Sequence, residues 1–164
     1  MFILFKAPPE KDLEWGDSDV EGQFRFLSRV WKLYYEYLNE LSLGKVERKQ
    51  ETQEKNILRS MNLAIKEISH DIENNQFNTA ISELMKFCNA ISQHYKYLSS
   101  NLKKIILQNL CILLAPFSPH ISEELWHLLG SNESVHSQNW PQYDPKSIIM
   151  NLSLIHISEP TRPS

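Results

Sequence analysis

An all-α chain, folded as an antiparallel bundle of four to five helices behind an extended N-terminal connector, is what the 164-residue sequence predicts. Three observations carry that prediction. Apolar residues recur at alternating three- and four-residue steps, the spacing that lines one face of a helix. Only four glycines interrupt the chain, and Gly22 and Gly44 fall near helix ends. No stretch alternates apolar and polar residues strongly enough to be a strand. Seam repeats alone would suit a coiled coil equally, but the short breaks and wide apolar faces favour a globular bundle.

The elements follow in order. Residues 1–17 form the connector, a Pro8-Pro9 pair and then Trp15 in an acidic stretch, leading into Asp17-Ser18-Asp19. Such a segment belongs in the middle of a longer protein, so Met1 is read as an internal methionine. The bundle is expected over residues 18–130. Its first helix is signalled by Ser18 with Glu21 three residues on, a capping box in which each side chain satisfies an orphan backbone N–H. Phe24, Leu27, Trp31, Tyr34, Leu38 and Leu41 make its seam, and Gly44 ends it in a left-handed conformation.

After the polar stretch 45–54, Leu58, Met61, Ile65, Ile68 and Ile72 repeat the spacing. Asn74-Asn75-Gln76 breaks this second helix, and Asn78 is placed to cap a third, with Ile81, Leu84, Cys88, Ile91, Tyr95 and Leu98 inward. The fourth, from Leu102 to Ala115, is apolar nearly all round and should be the most buried. Pro116 stops it. A short fifth helix starts near Ser118 with Pro119 in its first turn and ends at Gly130. Residues 131–151, with Trp140-Pro141 and Asp144-Pro145, read as an extended segment packed on the bundle. Residues 152–164 resemble the in-frame translation of a transposase-type sequencing adapter and are read as an artefact, so both natural ends are expected to be missing.

Bulk properties exclude several classes. A net charge of −3 argues against coating nucleic acid by bulk charge, while leaving room for a local basic face. No run of about 18 apolar residues is present, so no membrane span is expected. Met1 to Phe5 is too short for a signal-peptide core. Cys88 and Cys111 lie inside helical apolar patterns, as core thiols of a reducing, cytoplasmic compartment would.

Catalytic chemistry does not assemble along the chain. His70, His94, His120, His127, His136 and His156 are scattered, and the helix-mates His120 and His127 have no third metal ligand at close spacing. Glu123 and Glu124 are adjacent on a helix and therefore diverge by about 100°. They suit the positive end of a helix better than acid–base work. The cysteines lack an adjacent base. No glycine-rich phosphate loop occurs, so no cofactor or metal site is expected in this chain.

Binding is better represented. Arg25, Arg29 and Lys32 share one face of the first helix, away from its seam. Lys55, Arg59, Asn62 and Lys66 do the same on the second. One such stripe is ordinarily a solvated face. Two on successive helices point to a contiguous basic surface for phosphates rather than base edges. Aromatics fall in the seams, so stacking on unpaired bases is not indicated and a helical stem is the better ligand.

Three segments together carry a family resemblance. Ala115-Pro116-Phe117-Ser118-Pro119-His120-Ile121-Ser122-Glu123-Glu124-Leu125-Trp126 resembles the final-helix signature of the helical anticodon-binding domain in class I aminoacyl-tRNA synthetases. Phe77-Asn78-Thr79-Ala80-Ile81, with Met85 after it, resembles the start of that bundle's third helix. Pro8-Pro9-Glu10, Leu13-Glu14-Trp15 and Val20-Glu21-Gly22 resemble the leucyl-tRNA synthetase connector, and Ser134-Val135-His136 before Trp140-Pro141 agrees. The resemblance covers residues 1 to about 150.

It implies a monomeric cytoplasmic parent that uses ATP with magnesium to attach leucine to its tRNA. It further implies a helical bundle that grips the tRNA while relying little on anticodon bases. Two departures qualify it. The His-x-Gly-His and Lys-Met-Ser-Lys-Ser types of nucleotide motif and the editing domain are absent, so ATP and leucine sites belong to the parent, and this chain alone is expected to be inactive. Asn62 stands where relatives often carry His. The corresponding bundle of a valyl, isoleucyl or methionyl enzyme, and a helical interaction module without RNA, are the alternative readings. On the leading one the partners are leucine tRNA, through stem phosphates, and the missing catalytic domain, which Phe2, Ile3, Leu4, Phe5 and Trp15 would meet.

Overall fold

The structure, a computed structural model, describes residues 1–7 and 10–148. Pro8, Pro9 and the adapter-like residues 152–164 lie outside the described residues. Six α-helices lie wholly within the described residues: α1 (Phe2–Lys6), α2 (Asp17–Leu43), α3 (Glu51–Glu73), α4 (Phe77–His94), α5 (Ser100–Leu114) and α6 (Pro119–Leu128); residues 145–148 are also helical, where the sequence predicts an extended segment. Short 3-10 turns occupy Tyr95–Tyr97 and Val135–Ser137, and no strand occurs among the described residues. Nor is any of these helices long and apolar enough to cross a membrane.

Short connections make successive long helices run in opposite directions. The Gln50 amide before α3 donates to the Tyr97 carbonyl after α4 at 2.9 Å. The Tyr95 hydroxyl reaches Glu40 near the end of α2, also at 2.9 Å. The ends of α2 and α4 therefore meet the starts of α3 and α5 at one pole. At the other pole α1 docks, packing on α4 and α2, with the Met1 sulfur 3.6 Å from the Ser118 hydroxyl. This helical turn within the connector buries parts of Met1, Leu4 and Phe5 against the core.

α4 and α5 contribute the most continuous buried faces of the interior, as their patterns demand. Ile81, Leu84, Cys88, Ile91, Tyr95 and Leu98 are all buried, and so are Ile106, Leu107, Leu110, Cys111, Leu113 and Leu114. Each such aliphatic side chain contributes about 1.5–3 kcal/mol through removal from water. α5 ends at Leu114, ahead of Pro116, and the Phe117 and Ser118 amides fold back to the Leu114 carbonyl at 3.0 Å. Burial raises the Cys88 thiol to about 11 and the Cys111 thiol to about 12, so both stay protonated core residues.

Three local expectations are corrected. The α2 seam is rotated: Phe26, Val30, Leu33, Tyr34 and Tyr37 face the core, while Phe24 and Leu41 are 69% and 52% exposed. Leu27, Trp31 and Leu38 pack only at the margin. The Ser18 capping box does not form, because α2 starts one residue before Ser18, with Gly16 as its cap and no side-chain cap bond. Asp19 folds back so closely that a Cβ on Gly16 would lie 2.8 Å from its carboxylate, and Lys6 pairs with that same carboxylate. Likewise Asn78 lies inside the first turn of α4, whose cap is Gln76. By contrast Gly44 closes α2 at φ 59°, ψ 40°, as expected of a left-handed C-cap.

Candidate nucleic-acid interface

Polar groups converge where α2, α3, α4 and α5 meet. The Lys103 ammonium donates to Glu40 at 2.9 Å and lies 4.3 Å from the centre of the Tyr95 ring. Burial and the bond to Glu40 push the Tyr95 phenol far up, so it remains a donor. Glu54 accepts the Ser99 amide at 2.8 Å, and Glu47 accepts the Ser100 amide at 2.7 Å. Burial alone would raise the Glu54 carboxyl, but the Ser99 bonds and the Lys49 charge outweigh it and hold the group below its usual value. These carboxylates occupy the Ser99 and Ser100 amides at the start of α5.

Those cations form a continuous track. Arg29 and Lys32 of α2 line a groove of about 500 Å³ with Lys96, and Glu36 is also in its wall. Lys96 and Glu36 in turn help line a cleft of about 610 Å³ that contains Lys45 and Arg48. Glu40 is held by Lys103 and Glu47 by a backbone amide, which leaves Glu36 as the acid without an internal partner in this track. Among the described residues none of Arg29, Lys32, Lys45, Arg48 and Lys96 makes an ion pair. Arg25 sits one turn before Arg29 and pairs with Glu21 at 3.1 Å.

The α3 stripe has another fate. α2 packs on α1, α4 and α6, whereas α3 packs on α4 and α5, so the two stripes do not merge across a shared interface. Lys55 pairs with Glu51 at 3.4 Å. Arg59 is half-buried, with its Nε lacking a partner. Asn62 is only 6% exposed: its amide donates to the Leu58 carbonyl at 2.8 Å, and its Oδ1 accepts the Asp144 amide at 2.7 Å. Lys66 is exposed beside Glu67, His70, Glu73 and Tyr143.

Residues 131–148 thus cross α3 as a strap. Trp140 donates its indole N–H to Ser69 at 2.8 Å, and Ile148 and Val135 are buried. Glu123 fastens the strap to α6 by accepting from the Ser134 hydroxyl at 3.0 Å and the Val135 amide at 2.9 Å. Burial opposes ionisation of Glu123, yet those bonds and the nearby His127 and His136 hold its carboxyl below the usual range. This is a structural duty that the sequence did not announce; Glu124 is exposed.

Sequence reasoning missed Lys45, Arg48 and Lys96. The signal was present in the charge density of Lys45, Arg48 and Lys49 just after Gly44, in a stretch treated as a link between helices. The absence of exposed aromatics is also corrected, since Phe24 and Tyr35 are both open to solvent. No group of three or more His, Cys, Asp or Glu residues is arranged for a metal among the described residues.

The fold is that of a helical domain of tRNA ligases: residues 54–159 match the family described as the anticodon-binding domain of tRNA ligase, and the chain belongs to that family. The relatives are specific. The chain is 58% identical over 151 residues to the leucine–tRNA ligase of Prochlorococcus marinus subsp. pastoris, covering 92% of this chain and 18% of that protein. It is 54% identical over 154 residues to the leucine–tRNA ligase of Crocosphaera subtropica, with the same coverage of 92% and 18%. Among solved structures it is similar to the Agrobacterium radiobacter K84 agnB2 LeuRS in a ternary complex with tRNA and LeuAMS, with TM-score 0.80 and 31% identity over 90% of this chain and 19% of that one. The chain therefore spans less than a fifth of the length of the relatives it matches.

Proposed function

We propose that this chain is the tRNA-gripping part of a leucine–tRNA ligase and that it holds leucine tRNA through stem phosphates. The track Arg29, Lys32, Lys96, Lys45 and Arg48 supports this reading, because its cations are unpaired while most neighbouring acids are engaged internally. Arg25 extends the track at one end. Lys55, Arg59 and Lys66 act as a second, weaker contact on α3. The whole protein, on this reading, is a monomeric cytoplasmic enzyme that uses ATP and magnesium to join leucine to its tRNA. Those sites lie in the remainder of the polypeptide, and the chain alone is catalytically silent.

The test is a titration of leucine tRNA at several salt concentrations. Phosphate-dominated binding weakens steeply as salt rises, with a log–log slope of about −0.9 per phosphate contact on duplex nucleic acid. Absent binding at low salt, or binding indifferent to salt, would sink the proposal.

A further inference from the structure

We propose that Glu47 is a positioning residue for the cationic track: by gripping the start of α5 it fixes the loop between α2 and α3, and with it Lys45 and Arg48. This role rests on the tRNA reading above. The loop has little else to hold it. It is exposed from Lys45 to Gln50, and Val46, its one apolar side chain, is 90% exposed, so no burial anchors it. Its ends are tied, since the Lys45 amide donates to the Glu40 carbonyl at 3.4 Å and the Gln50 amide to the Tyr97 carbonyl at 2.9 Å. Between them, among the described residues, a single hydrogen bond joins the loop to another element: the Ser100 amide donates to Glu47 Oε1 at 2.7 Å. Lys49 adds an ion pair with Glu54 at 3.6 Å.

That bond suits an anchor. Ser100 opens α5, where backbone N–H groups have no partner within the helix and the helix dipole favours an anion. Glu54 of α3 takes the neighbouring Ser99 amide at 2.8 Å, so the loop and the helix after it are both referred to one helix end. Glu47, Lys45 and Arg48 share the wall of one cleft with Lys96 and Lys103. A loop pinned near its middle presents its cations in one place, and their ordering entropy is lost before any phosphate arrives.

Charge and position make opposite predictions for Glu47. As an acid beside a phosphate-binding surface it repels the ligand, so its removal should tighten binding. As the anchor of Lys45 and Arg48 it helps, so its removal should loosen binding. Two substitutions separate these roles in titrations of leucine tRNA at several salt concentrations. Glu47→Ala removes charge and acceptor together, whereas Glu47→Gln removes the charge and keeps an acceptor oxygen. The Ala variant should bind about fivefold more weakly, with the salt slope lowered by about 1–2, the share of two phosphate contacts. The Gln variant should stay within about twofold of the unmodified chain and keep its slope. Exchange of the Ser100 amide should accelerate in the Ala variant alone.

Tighter binding by Glu47→Ala would leave Glu47 as a simple repulsive charge and overturn the proposal. So would weaker binding at an unchanged slope, the result expected of a cap that only stabilises α5. Failure of the unmodified chain to bind tRNA would sink the RNA reading and this role together. Salt-dependent binding by the unmodified chain, with Glu47→Ala indistinguishable from it, would sink this role alone.

Discussion

The two basic stripes look alike as sequence and differ as structure. Arg29 and Lys32 on α2 open into a groove shared with Lys96, and through it reach Lys45 and Arg48. Arg59 and Lys66 on α3 flank Asn62, which is consumed by the strap, and Lys66 faces a neighbourhood that contains Glu67 and Glu73. Spacing places cations on one face of a helix. Whether that face can meet a phosphate depends on what crosses it and on which acids stand beside it.

That contrast can be broken or sharpened by four measurements, taken from the largest expected effect to the smallest. Reversing Arg29, Lys32 and Lys96 to Glu together should weaken tRNA binding at low salt roughly hundredfold and flatten the salt slope by about 2–3. An unchanged slope in a filter-binding titration would remove α2 from the interface. Trp140→Ala should destabilise the chain by about 2 kcal/mol in urea unfolding, less than a fully buried Trp because Trp140 is half-buried. It should also raise amide exchange along the strap, and a silent variant would show that the strap is not held there.

Reversing Arg59 and Lys66 to Glu should cost roughly threefold in affinity, about one phosphate contact. A loss equal to that of the α2 set would abolish the distinction between the stripes. The smallest effect is local and depends on pH. Glu123 has a folded-state carboxyl below its ordinary value, so its hold on the strap is complete above about pH 4.3 and fades as pH falls through the lower folded value. Exchange at the Val135 amide should accelerate below that point, after correction for intrinsic exchange, and Glu123→Gln should remove the acid dependence.

Much of the fold was legible because the interior helices are apolar on one decided face. Every seam position named for α4 is buried, and α5 stops ahead of its proline. On α2 the same logic failed for a physical reason. Phe24 and Phe26, Leu27 and Leu33, Trp31 and Tyr34, and Tyr35 and Tyr37 put apolar groups on more than one face, so periodicity alone has two solutions. The structure buries the Phe26 face in the core and leaves Phe24 outside. The Ser18 cap fails because α2 already begins at Asp17, with Asp19 in its first turn engaged by Lys6, a contact that local capping rules do not contain.

The candidate site was legible in part for a related reason. Cations at helical spacing stand out, whereas Lys45, Arg48 and Lys96 come together only when the ends of α2 and α4 are brought to one pole. Asn62 was marked as an atypical residue, and its use by the Asp144 amide explains why it serves packing here. By sequence, Glu123 suits the positive end of a helix. Its bonds to Ser134 and Val135 arise from a chain reversal that no helical pattern encodes.

Tyr34, at the centre of the bundle, has a consequence beyond packing. Its phenol is fully buried, donates to the Leu107 carbonyl and accepts from the Cys111 thiol at 3.1 Å. Burial first, and then Cys111, drives its ionisation well above the ordinary tyrosine range. Tyr34 therefore acquires a phenolate only once α2 has parted from α5. The molecule thus carries its own optical gauge: in alkali, the delayed ultraviolet signals of the shielded rings Tyr34, Tyr37 and Tyr95 mark the moment at which the first long helix lets go.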